Sequence, residues 1–106
     1  MSDCEVAWID ISGPADARVV RIGGDLTQKS LPEIQPALMT SIEAADAVTI
    51  DLTELELCDS GGIGMFIAAH GKAVAHDTHI DLVNLRPPVR RLFRVTDLDT
   101  RFGIVD

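Results

Sequence analysis

Leu57-Cys58-Asp59-Ser60-Gly61-Gly62-Ile63-Gly64-Met65-Phe66 is the stretch whose reading decides the fold. Just before it, Val48-Thr49-Ile50-Asp51-Leu52 reads as a strand, with Val48, Ile50 and Leu52 on one face and Asp51 opposed. Just after it, Ile63, Phe66, Ile67, His70 and Val74 recur three or four residues apart. That spacing predicts a helix from Ser60 or Gly61 to about Ala75, with those residues on its buried side. Ser60 stands at the join and is the predicted N-cap, because a serine hydroxyl can accept a bond from a free amide of the first turn. Gly61, Gly62 and Gly64 weaken the first turns by up to ~1 kcal/mol each relative to alanine. Either backbone packs closely against them, or they keep a surface open for another chain. A helix start also favours negative charge, so phosphate can be accommodated there.

Working outward, Val6 to Ser12 alternates apolar and polar residues and reads as an edge strand. Gly13-Pro14-Ala15-Asp16 is a turn, and Ala17 to Ile22 is a second strand, so the short connection predicts an antiparallel hairpin. Trp8 is expected to cover one end of the core. Gly23-Gly24-Asp25-Leu26-Thr27 is expected to end the strand and begin a loop. Ser30-Leu31-Pro32-Glu33 reads as a capping box, and Leu31, Ile34, Leu38 and Ile42 carry a helix to about Ala44 or Ala45. Pro36 conflicts with it, so the first turn is expected to be irregular or the regular helix to start near Gln35. Ala47 to Leu52 is the third strand, and Thr53-Glu54-Leu55-Glu56 a loop with Leu55 tucked inward. His79 to Val83 is the fourth strand. Pro87-Pro88 starts a last helix, with Val89, Leu92, Phe93 and Val95 on its apolar face. Thr96 to Arg101 reads as a connector, and Phe102 to Val105 as a short strand or tail.

Strands and helices alternate after the hairpin. This predicts one α/β domain over residues 1–106, with a mixed, mainly parallel central sheet of about four to five strands and three to four helices on one or both faces. At 46% hydrophobic residues, a packed globule is expected rather than disorder. The start, Met1-Ser2-Asp3-Cys4-Glu5, is acidic and unlike a secretory signal, which points to the cytoplasm. Nine basic and 17 acidic residues give a net charge of −8, which argues against nucleic acid and suits solubility or a basic partner. Cys4 and Cys58 make no metal pattern and are expected to be reduced, Cys58 as a small buried side chain.

Enzymatic chemistry finds little support. Asp59-Ser60-Gly61-Gly62 is not the Gly-x-Ser-x-Gly of a nucleophile elbow. His70 lies on the packing face, and His76 and His79 sit near a turn. His76, Asp77 and His79 lack the spacing of known metal sites. The Gly-x-x-x-x-Gly-Lys-Ser/Thr phosphate loop is absent. Arg86, Arg90, Arg91 and Arg94 form a basic group, read as a solvated face that could dock an acidic partner. The expectation is a binding module that is not an enzyme and uses no metal or cofactor.

Three places resemble the STAS domain of bacterial anti-sigma-factor antagonists. Gly24-Asp25-Leu26 is similar to that family's Gly-Glu-Leu-Asp. Ile50-Asp51-Leu52 with Cys58-Asp59-Ser60-Gly61-Gly62-Ile63-Gly64 is similar to its Leu-Asp-Leu and Asp-Ser-Ser-Gly-Leu-Gly. Pro88-Val89-Arg90-Arg91-Leu92-Phe93 resembles its late helix. The resemblance implies that Ser60 is phosphorylated by a serine kinase that is also the anti-sigma factor, that the unphosphorylated form binds this kinase, and that a serine phosphatase resets the switch. It implies a contact surface of Asp25, Thr27, Asp59, Ser60, Gly61, Gly62, Ile63, Gly64 and Met65. Two positions depart: the family's second serine is Gly61 here, and the aspartate of Gly-Glu-Leu-Asp is Thr27. Asp-Ser-Gly-Gly also resembles another STAS branch, the small cytoplasmic subunit of lipid-trafficking ABC transporters, whose partner is the transporter ATPase.

Overall fold

The tight turn at Gly13-Pro14, closed by the Ala17 amide donating to the Pro14 carbonyl at 3.1 Å, folds β1 (Trp8–Ser12) antiparallel onto β2 (Arg18–Leu26). The computed structural model describes residues 6–105. The expectation for Cys4 and the acidic start lies outside them. Every later pairing is parallel, as the intervening helices require. β2 pairs with β3 (Ala47–Asp51), β3 with β5 (His79–Val83), and β5 with β6 (Gly103–Val105). β4 (Leu55–Cys58) lies against the C-terminal end of β2. The order is β1-β2-β3-β5-β6, with β4 off that path. The helices are α1 (Leu31–Glu43), α2 (Ser60–His76) and α3 (Pro87–Val95).

Alternation along the strands decides where the core sits. Val20, Ile22, Val48, Ile50, Ile80 and Leu82 are buried, while their neighbours Arg21, Thr49, Asp51 and Asp81 face the other way and are only partly covered or exposed. On the buried side, Phe66 of α2 meets Phe93 of α3 edge-on at 5.1 Å and Phe102 at 6.3 Å. The helices therefore share one face of the sheet. No helix among the described residues is long and apolar enough to cross a membrane.

The fold class is the expected one, with three helices and six strands where four to five were expected. The extra strand is β4, which was read as a loop running into the helix. Leu55 is buried as expected, but it belongs to this strand. β2 runs on through Gly23 and Gly24 instead of stopping at Ile22. The Trp8 ring stands against Gly23, where a Cβ would clash with it. Gly24 takes φ +80° at a bulge, which lets β2 leave β3 and pair with β4. β1 begins at Trp8, and Val6 makes only an isolated bridge to Asp25.

α1 runs through Pro36 without a break. The residue that loses a donor is Pro32, one turn back, and it is exposed, so water can take its carbonyl. The predicted capping box does not form. The Ser30 hydroxyl turns back, donating to the Thr27 carbonyl at 2.8 Å and accepting from the Thr27 amide at 2.9 Å. Two apolar assignments also fail on α2: Ile67 is 44% and Val74 68% exposed. Ala69 and Ala73 are buried residues of α2 in their place. Val95 is 77% exposed at the last turn of α3, off the apolar face it was assigned to. The connector holds a short turn of 3₁₀ helix, Leu98–Thr100, anchored by the buried Leu98.

Candidate functional site

The carboxyl ends of β2 and β4 bring the two separated sequence motifs together. Leu26 pairs with Cys58, and the Asp59 amide donates to the Leu26 carbonyl at 3.1 Å. Asp59 then caps α2. Its backbone is extended, and its carboxylate accepts from the Gly62 amide at 3.0 Å and from the Gln28 amide at 3.1 Å. The expected cap was Ser60, and the structure corrects this to Asp59. Both residue types cap well, and the tie is broken by Asp59, whose second oxygen also ties down the loop after β2.

Ser60 is therefore the first helical residue, and its side chain is exposed. Among the described residues its hydroxyl makes no hydrogen bond. Asp59 is held below the usual carboxylate range, chiefly by the Gly62 amide, with further bonds from the Gln28 and Gly61 amides outweighing its slight desolvation. A fixed negative charge thus stands beside a free hydroxyl. Because the folded-state pKa of Asp59 is depressed, its stabilising effect is present above about pH 4 and lost as pH falls through the folded value. Urea melts at stepped pH should show the wild-type midpoint falling in that acid window, and a flatter acid limb for Asp59→Asn.

The glycines divide between the two readings. A Cβ on Gly61 would stand 2.9 Å from the Gln28 Cα, and one on Gly62 would stand 2.6 Å from the Cys58 sulfur. Those two glycines let α2 start tightly against β4 and the loop after β2. Gly64 has open space where its Cβ would be, so it is the glycine that leaves surface uncovered. Ile63 and Gly62 are buried, and Met65 is only 1% exposed. Of the expected contact residues, Met65 has its side chain packed in the core. Asp25 and Thr27 are half-buried at the strand end next to Asp59. An open groove of about 470 Å³, lined by Gln28, Leu31, Pro32, Gln35 and Pro36, continues this edge along α1. Sequence reading missed the groove, because α1 was not expected to hold regular helix before Pro36.

Cys58 is buried as expected. Burial, with Asp59 adding to it, pushes the thiol up to about 12. Its iodoacetamide labelling, followed by peptide mass, should be far slower in the native protein than in urea. No group of three or more potential metal-binding side chains occurs among the described residues. His79 instead pairs with Asp81 at 3.0 Å.

Proteins similar to this chain include anti-sigma-factor antagonists. The anti-sigma-B factor antagonist of Listeria monocytogenes is 28% identical over 78 residues, 73% of this chain and 68% of that protein. An anti-sigma factor antagonist from Mycobacterium paratuberculosis superposes with a TM-score of 0.81 at 22% identity, covering 92% of this chain and 84% of the other. The Bacillus cell fate determinant SpoIIAA in its phosphorylated form gives a TM-score of 0.72 at 20% identity, covering 93% and 92%. At such identities the solved structures show a shared fold. The family model STAS_2, described as "Mlab, STAS domain", reaches further, matching residues 9–106. That match covers nearly the whole chain, and the chain belongs to the STAS-domain family.

Proposed function

We propose that this chain is an anti-sigma-factor antagonist or a related partner-switching regulator. Unphosphorylated, it binds a serine kinase that is also the anti-sigma factor. Phosphorylation of Ser60 releases it, and a serine phosphatase restores it. The observation that carries this reading is the exposed, unbonded Ser60 hydroxyl at the first turn of α2, next to an ionised Asp59. Phosphate adds about −1.5 to −2 charge at neutral pH. Asp59 already takes the Gly62 amide of this helix end and the Gln28 amide beside it. In this reading the added group stays on the exposed surface at Ser60, where it meets a partner. The contact surface in this reading is Asp25, Thr27, Asp59, Ser60, Gly61 and Gly64, with Gly62 and Ile63 shaping it from beneath. This is a binding role, without catalysis, in the cytoplasm.

The Asp59-Ser60-Gly61-Gly62 sequence favours a second reading, a STAS subunit that braces a transporter ATPase without phosphorylation. Incubation with the cognate serine kinase and ATP, followed by peptide mapping, separates the two. Phosphate on Ser60 supports the first reading. No label, together with a stable ATPase complex indifferent to Ser60→Ala, sinks it in favour of the second.

A further inference from the structure

Positive charge on this acidic chain is concentrated in one place. Four of its nine basic residues, Arg86, Arg90, Arg91 and Arg94, fall within or just before α3, and no acidic residue lies between Arg86 and Thr96. Arg86 is engaged within the fold, donating to the Thr53 carbonyl at 2.7 Å and pairing with Glu56 at 3.1 Å. Arg91 and Arg94 are exposed, and among the described residues they make no ion pair. They stand at i and i+3 on the side of α3 opposite the buried Val89 and Phe93. Val95, at i+4 from Arg91, is exposed beside them.

Two like charges one turn apart repel, and on a chain of net charge −8 partners for them are plentiful. All four basic residues here are arginine, whose planar fork grips carboxylates with two parallel bonds and is enriched at protein interfaces. We propose that the outward face of α3, made by Arg91, Arg94 and Val95, docks an acidic segment of a partner protein. Carboxylates one helical turn apart on that segment pair with the two guanidinium groups, and an apolar side chain between them covers Val95. The charge argues for a short acidic segment over a long polyanion. A segment a few residues long meets only this patch, whereas DNA or an anionic membrane also confronts the acidic remainder of the molecule. The proposal is independent of Ser60 and of any kinase.

The test titrates the ¹⁵N-labelled full chain with a synthetic acetylated helical peptide carrying glutamates three and four residues apart. The matching glutamine peptide, phosphatidylglycerol vesicles and duplex DNA serve as competitors for the assignment. The glutamate peptide should shift the side-chain Nε–H signals of Arg91 and Arg94 and the Val95 amide, and the glutamine peptide should not. The Arg91→Gln/Arg94→Gln double variant should bind at least about tenfold more weakly with an unchanged melting temperature. The proposal is overturned if both peptides bind alike, if the shifts fall around Lys29 or Lys72 instead, if the double variant binds as well as the parent, or if vesicles or DNA bind more tightly than the peptide.

Discussion

Ser60→Asp is expected to weaken binding of the kinase partner by about 100-fold, because docking must then desolvate a second carboxylate that has no cation to pair with, which costs several kcal/mol. The new carboxylate stands beside Asp59, whose ionised form is favoured by bonds from the Gly62, Gln28 and Gly61 amides. The fold should be indifferent. Ser60 is exposed, makes no hydrogen bond among the described residues, and acidic side chains are welcome in the first turn of a helix. The melting temperature should therefore move by no more than a degree or two, while binding by calorimetry collapses. Ser60→Ala should bind as the parent does and accept no phosphate. If Ser60→Asp lowered both affinity and stability together, the hydroxyl would be structural and the switch reading would lose its basis.

Phe66→Ala should produce the largest loss of stability, about 3–5 kcal/mol. Phe66 is fully buried and meets Phe93 and Phe102 edge-on, so it joins α2 to α3 and to the segment that leads into β6. Each such ring pair adds about 0.5–1.5 kcal/mol beyond buried area. Domains of this size are stable by about 5–15 kcal/mol, so the variant sits near the edge of folding, with a melting temperature lower by roughly 15–30 °C. Ile67→Ala, one position on and largely outside the core, should cost far less. Urea denaturation of the two variants side by side checks this. Equal losses would mean that the face of α2 has been assigned wrongly.

The sequence was most legible where period and partner agree. Val48, Ile50 and Leu52, then Ile80 and Leu82, alternate because one face of the sheet is buried, and all were recognisable as strands. The start of α2 was placed correctly by its glycines, yet its cap was not. Asp59 and Ser60 are equally suited to the role, and the deciding contact, Gln28 to Asp59, spans 31 residues. The same kind of distance hid β4. Leu55-Glu56-Leu57-Cys58 has too little pattern to declare itself, and it becomes a strand only because Gly24 bends β2 to meet it. On α2 the three-and-four spacing picks out Ile67 and Val74 as buried, whereas Ala69 and Ala73 are the buried positions. Hydrophobic period identifies a helix, but long-range packing fixes its rotation, and the local pattern does not disclose that. Met65 is placed on the contact surface by the family resemblance, which says nothing of how deeply its side chain is buried.

The claim that a surface phosphate on Ser60 switches docking while the fold stands is tested most directly by one titration. The kinase partner is titrated into the chain before and after stoichiometric phosphorylation of Ser60. The account predicts tight binding before phosphorylation and at least about 100-fold weaker binding after it. Equal affinity of the phosphorylated and unphosphorylated forms would contradict it.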